Sequence, residues 1–236
     1  MKECVGVGAN HLNVFDAEDF IVPLDQVAFL SVESRVVDAL FGTILMRDTI
    51  TANHSLLMAY YNYMISTQFD SKNSDLYFIA GLVHDIGKLS LSDSILKSTE
   101  KLKDSEIEFV KVHVTEGAKL LRRAGLPDLV VNTAMYHHER FDGSGYVEGL
   151  SGYDIPLEGR ISAIADVYST LVGGRLYSSA LSEDRALDIL NKEKHLFDPD
   201  IFNWFVSYIS GSKVKDIVSS RFLMNFAISK YRKISG

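Results

Sequence analysis

From about residue 31 onward, the apolar residues of this chain recur almost everywhere at three- and four-residue steps, a spacing that a helix gathers onto one face. In SVESRVVDALFGTILM, residues 31–46, Val32, Val36, Val37, Leu40, Phe41, Ile44 and Leu45 make one such stripe. The same spacing predicts helices over 48–69, 74–88, 104–124, 128–139, 156–175, 182–193, 199–210 and 214–232. The punctuation agrees: Pro127 interrupts after Gly125, Pro156 suits a first turn, and Asp198-Pro199 reads as an N-cap followed by the first helical residue. Residues 1–30 lack this pattern and fit either a short β-hairpin or an extended arm packed on the helices. The expected fold class is all-α: a helical bundle with a short N-terminal extension.

A chain of 236 residues that is 47% hydrophobic has material for one large domain with a real core. Its net charge of -7 argues against a nucleic-acid polymer as partner, since binders of the phosphate backbone carry basic stripes. An anionic substrate must then be held by local cations or by metal. Cys4 is the only cysteine, which excludes an intrachain disulfide framework and a thiolate zinc site. No apolar run approaches the ~20 residues that cross a bilayer, and MKECVGVGAN has no signal-peptide pattern. The expectation is a soluble, cytoplasmic protein with no membrane partner.

The chemistry-bearing residues lie where the helical pattern is most apolar. LYFIAGLVHDIGK, residues 76–88, ends an apolar run on His84 and Asp85, with Lys88 three residues beyond the carboxylate. Asp166 interrupts the apolar segment RISAIADVYSTLV, and His54 and His113 fall on the apolar sides of their predicted helices. His137 and His138 stand together before the glycine-rich stretch 140–155, and irregular stretches of that length in helical domains are usually functional or mobile. Each residue alone has a plain alternative: an Asp85–Lys88 salt bridge, or a core histidine with its hydrogen bonds satisfied. The conjunction points elsewhere. Five of the seven histidines, with Asp85 and Asp166, occupy the inner faces or ends of five predicted helices. Buried carboxylates among neutral imidazoles lack a positive charge that metal ions supply.

Five imidazoles and two carboxylates exceed the needs of one tetrahedral ion. Two ions bridged by Asp85 use the set economically, and such a pair suits in-line attack of water on a phosphate ester. Mixed nitrogen and oxygen ligation favours iron or manganese over calcium or magnesium.

At this point the motifs themselves resemble a known family. His54, the pair His84-Asp85, His113 and Asp166 are similar to the H…HD…D skeleton of the HD phosphohydrolase superfamily. HDIGK, then HHERFDGSGY, then IADVYSTLVGGRLY resemble the HD-GYP subfamily, whose members are cyclic di-GMP phosphodiesterases or their degenerate relatives. The resemblance covers about residues 48–210, including HLFDPD at 195–200, and divides the chain into an extension (1–47), an HD-GYP-like domain (48–210) and a C-terminal helix packed on it (211–236). It implies that His54, His84, Asp85 and Asp166 ligate one metal, and Asp85, His113, His137 and His138 the other. It also implies that Asp85 and Lys88 are catalytic, with Lys88 contacting the scissile phosphate or the nucleophilic water and Arg175 gripping substrate phosphate. The loop that carries Arg140, Asp142, Gly143, Gly145 and Tyr146 would shape the substrate groove and offer contacts to a signalling partner such as a diguanylate cyclase.

Three positions depart from the family pattern. Val147 stands where the motif ends in proline, which restores an N–H and frees φ. Ile50 occupies the place of a glutamate that three-metal members carry, so two metals are expected. Ser178 stands where a basic residue often follows the substrate arginine, and Gly173-Gly174 replaces a polar pair. The resulting expectation is a phosphodiesterase that opens a cyclic dinucleotide to linear pGpG and makes GMP slowly. Its rivals are a cyclic di-GMP-sensing or cyclase-docking module and another HD-superfamily nucleotide phosphohydrolase.

Overall fold

Asp48 starts the central helix by accepting the backbone N–H groups of Ile50 and Thr51 at 3.1 and 3.2 Å, which satisfies two donors that a helix start leaves unpaired. In the computed structural model, which describes residues 32–98, 100, 102–173 and 181–211, this helix is α2 (Thr49–Phe69), preceded by α1 (Val32–Arg47). Then follow α3 (Ser74–Val83), α4 (Asp93–Leu96), α5 (Asp104–Arg123), α6 (Asp128–Tyr136), α7 (Leu157–Gly173), α8 (Glu183–Lys192) and α9 (Pro199–Gly211). No strand occurs among the described residues, as the periodicity predicts.

Helix α2 is buried on more than one side because its sequence is apolar around most of its circumference. Ala52, Leu56 and Ala59 join a cluster with Val37 and Phe41 of α1, Phe78 and Leu82 of α3, Leu121 of α5 and Val131 of α6. Met58, Tyr61 and Ile65 join a second cluster with Ile161, Ile164 and Tyr168 of α7, Leu190 of α8 and Phe205 of α9. At about 1.5–3 kcal/mol for each large side chain withdrawn from water, these two clusters are the main source of cohesion, and α2 is the wedge between them. Asp198 ties the second half together. One of its oxygens caps α9 by accepting from the backbone of Asp200 and Ile201, and the other takes the Arg160 guanidinium of α7 at 2.5 Å.

Two predicted helices are shorter than their apolar patterns. The segment expected over 74–88 is α-helical only to Val83; the chain turns at His84 and Asp85 and tightens into a 3₁₀ segment, Ile86–Ser90. The segment expected over 128–139 stops at Tyr136, and the His138 carbonyl leaves helical pairing to accept the N–H of Tyr146 at 3.2 Å. In both cases packing against a distant segment outweighs local propensity. The expected extension over 1–30 and the expected helix over 214–232 lie outside the described residues.

Candidate metal centre

The truncated helices deliver their ends to one point. His84 and Asp85 follow the last turn of α3, and His137 and His138 follow the last turn of α6. His54 projects from the middle of α2, His113 from α5 and Asp166 from α7. Asp85 lies at the junction: its Oδ2 is 3.2 Å from His84 Nε2, and its Oδ1 is 3.2 Å from His113 Nε2 and 3.9 Å from His137 Nε2. Asp166 faces His54 Nε2 at 3.0 Å and His138 Nδ1 at 3.6 Å. Two trios, His54–His84–Asp166 and His113–His137–His138, each bring three potential ligand atoms within 4.8 Å of one another, and so does His84–Asp85–His137.

Backbone carbonyls decide which ring nitrogen faces the centre. Nδ1 of His84 donates to the Gly81 carbonyl at 2.8 Å, that of His113 to Val110 at 2.7 Å, and that of His137 to Ala134 at 3.0 Å. A carbonyl only accepts, so Nδ1 holds the proton and the Nε2 lone pair is turned inward. His54 reaches the same state through Ser169, whose hydroxyl donates to the Asp166 carbonyl at 2.9 Å and accepts from His54 Nδ1 at 3.2 Å. Outer hydrogen bonds of this kind orient metal-binding imidazoles. His138 differs, presenting Nδ1 to Asp166 while its ring packs against Tyr146 with centroids 4.8 Å apart.

Electrostatics favour the metal-ready protonation state at Asp85, Asp166, His54, His137 and His138. Burial alone would raise the Asp85 carboxyl, but the surrounding His84, Lys88 and His113 outweigh it and hold the group well below the usual carboxylate range. Asp166 is depressed in the same way, burial being outweighed by His54 and His138 beside it. Burial pushes His54 and His137 down, and takes His138 down to about 3; at His84 burial acts the same way but the Asp85 and Asp166 carboxylates outweigh it and raise the group. Charged carboxylates beside neutral imidazoles are the forms that bind a metal. Moreover, His84 Nε2 and Asp85 Oδ1 are buried without a hydrogen-bond partner, an arrangement that costs stability unless a cation takes up the lone pairs. The donor set and these orphaned atoms fit a metal centre, with Lys88 holding its ammonium 2.5 Å from Asp85 Oδ2.

The stretch after the histidine pair is fastened to it. Gly145 packs so closely that a Cβ there would lie 2.4 Å from the Arg140 nitrogen and 2.6 Å from the His138 oxygen, and only glycine fits. The Arg140 guanidinium donates to the His137 and Glu139 carbonyls, while Asp142 accepts from the backbone and hydroxyl of Ser144. Gly143 turns with φ of 82°. These four residues thus hold the shape of the loop. Glu139, fully buried beside the pair, accepts the N–H groups of Glu148 and Gly149 at 2.8 and 3.1 Å. Glu139→Ala is expected to raise the rate of limited proteolysis within 140–155 by about tenfold or more, because two hydrogen bonds to a charged acceptor are lost. Glu139→Gln keeps an acceptor oxygen and should stay near the wild-type rate; equal cleavage of all three proteins would rule out the tether.

All seven candidate ligands and Lys88 come together, whereas Arg175 and Ser178 lie outside the described residues. Glu139 and Ser169 were not legible as parts of the site. The available signals were slight: a carboxylate next to the histidine pair, and a hydroxyl one turn after Asp166.

An all-helical bundle that gathers imidazoles and carboxylates from five elements defines a class of metal-site proteins. This chain belongs to the HD-domain family: the family model described as HD domain matches residues 44–201, and its motifs and relatives make it an HD-GYP domain. It is 34% identical over 194 residues to a probable cyclic di-GMP phosphodiesterase of Vibrio cholerae, covering 74% of this chain and 44% of that protein. It is 36% identical over 172 residues to the cyclic di-GMP phosphodiesterase response regulator RpfG of Xanthomonas campestris, covering 71% and 46%. A Vibrio cholerae 3'3'-cGAMP-specific phosphodiesterase is 32% identical over 187 residues, covering 77% and 39%. The chain spans less than half the length of each of these three relatives. Among solved structures, Bd1817 of Bdellovibrio bacteriovorus, an HDG"Y"P protein, superimposes with a TM-score of 0.58 at 16% identity, over 77% of this chain and 65% of that one. The HD domain of the Listeria monocytogenes phosphodiesterase PgpH, in complex with cyclic-di-AMP, gives 0.51 at 19% identity, over 83% and 96%. These two share the fold. No helix among the described residues is long and apolar enough to cross a membrane.

Proposed function

We propose that this chain is a metal-dependent phosphodiesterase that hydrolyses a cyclic dinucleotide, with cyclic di-GMP as the foremost substrate, to linear pGpG. The observation that carries this reading is the convergence of Asp85, Asp166 and five histidines on one buried point beside Lys88. The named activities of the relatives at 32–36% identity support it. Residues 48–210 form the catalytic domain, and the packing of Val37 and Phe41 of α1 into its core supports the extension's role as an added layer.

His54, His84, Asp85 and Asp166 would hold one metal, and Asp85, His113, His137 and His138 the other; the ligand chemistry favours iron or manganese. When bound, the metals supply Lewis-acid charge at the phosphoryl oxygens and lower the pKa of a water. The chain's own residues do the rest. Asp85 keeps its negative charge between the two groups of histidines. Lys88, paired with Asp85 and with 24% of its side chain exposed, donates to the phosphoryl oxygen as charge develops there. Water attacks phosphorus, the P–O bond to the 3′ oxygen breaks, and the ring opens to a dinucleotide with a 5′ phosphate. The 140–155 loop, fastened to the histidine pair, borders the entrance and offers the surface for a signalling partner.

The product follows from Ile50, which has no atom that ligates a metal, and from Ser178. Opening the diester needs one in-line displacement. A second cleavage must accommodate a terminal phosphate dianion with fewer cations beside it. Chromatography of a time course on cyclic di-GMP is expected to show pGpG accumulating before GMP, with about two metals per chain in the purified protein. GMP without a pGpG phase, or three stoichiometric metals, would overturn the two-metal reading.

A further inference from the structure

We propose that Lys111 grips the second phosphodiester of the cyclic dinucleotide, the one that is not being cleaved. This assignment rests on the function proposed above and extends it to the outer end of the substrate.

A cyclic dinucleotide carries two phosphodiesters on opposite sides of one ring. When one is at the metal centre, the other points away from it and needs a cation of its own on a chain whose net charge is -7. Lys88 is committed to the inner position by its contact with Asp85. Lys111 stands farther out, with its ammonium 5.3 Å from the centroid of the Tyr146 ring, and that ring lies 4.8 Å from His138 at the centre. The three groups form a ladder from the metal ligands to the surface: imidazole, phenol ring, ammonium. An ammonium near an aromatic ring is held in place without losing its charge.

The pairing of Lys111 leaves it open to exchange. Its partner is Glu108, 2.6 Å away on the same helix and 69% exposed, while the Lys111 side chain is 34% exposed. Exposed pairs three residues apart contribute little and exchange readily with other ions. Arg140, a second cation near the pair among the described residues, donates to the His137 and Glu139 carbonyls. Lys111 thus combines proximity, partial exposure and a weak counterion.

The test compares cyclic di-GMP with bis(p-nitrophenyl) phosphate, a diester with a single phosphate, in wild type, Lys111→Met and Lys111→Arg, with metal content measured in each. Lys111→Met is expected to raise KM for cyclic di-GMP about tenfold, the size expected for one charge-assisted hydrogen bond. The loss on the single-phosphate diester should be several-fold smaller. Lys111→Arg should recover most of the affinity, and the gap between wild type and Lys111→Met should narrow as salt rises, because exposed charges are screened. Equal losses on both diesters would assign Lys111 to holding Tyr146 and overturn the proposal, as would an unchanged KM for cyclic di-GMP or a loss of metal. A wild type that cleaves bis(p-nitrophenyl) phosphate but no cyclic dinucleotide would instead reject the substrate class itself, and the Lys111 assignment with it.

Discussion

Asp85→Ala is expected to purify with little or no metal and to lose turnover by on the order of 10³-fold or more, the scale on which removing a preorganised charge-stabilising group acts. Asp85 is the one carboxylate in contact with His84, His113, His137 and Lys88 together. Its two oxygens face the His84 side and the His113 side, so its removal takes a donor from both halves of the centre. Elemental analysis and a phosphodiesterase assay read the two losses, and a helical circular dichroism spectrum shows that the fold persists. Two metals per chain with undiminished turnover in this variant would place the chemistry elsewhere. The variant also relieves a burden, because a carboxylate 2% exposed and partly without hydrogen bonds is costly in the absence of a cation.

Gly87→Ala is expected to lower folding stability by about 3 kcal/mol and to reduce metal content with it. A Cβ at Gly87 would lie 1.9 Å from the His113 carbonyl oxygen and 2.6 Å from the Gly117 nitrogen, both backbone atoms of α5. No flexible side chain can move aside; the helix must, and His113 leaves the centre with it. Gly117 completes the contact from the other side, since a Cβ there would meet the Gly87 nitrogen at 3.2 Å. Gly42→Ala is the control. Nothing lies within 4 Å of a Cβ there, and in the interior of α1 alanine should be neutral or stabilise by under about 1 kcal/mol. Urea denaturation measures both, and a Gly87→Ala protein as stable as wild type would show that the approach of the 3₁₀ segment to α5 tolerates a side chain.

Glycine 87 shows why part of the site escaped the sequence. HDIGK identifies the histidine and the carboxylate by type, but the role of its glycine depends on a helix that begins seventeen residues later, Asp104–Arg123. The same holds for Glu139, whose hydrogen-bond donors are the backbone N–H groups of Glu148 and Gly149, and for Lys111, which meets Tyr146 across the chain. None of these pairings has a sequence period. The helices do: apolar residues at three- and four-residue steps reflect a local geometry, and α1, α2, α5, α7, α8 and α9 begin and end within about two residues of where their described patterns predict.

The sequence by itself determined an all-helical chain and the identity of seven side chains able to ligate metal, because helical periodicity and donor chemistry are properties of residues and their near neighbours. Where the helices stop was decided only in three dimensions. Continuing α3 through Lys88 would deny Gly87 its contact with α5, and continuing α6 through Glu139 would deny the His138 carbonyl its bond to Tyr146. Both terminations arise from backbone meeting backbone across the fold, an energy that no local pattern encodes, and both turn their histidines into one centre.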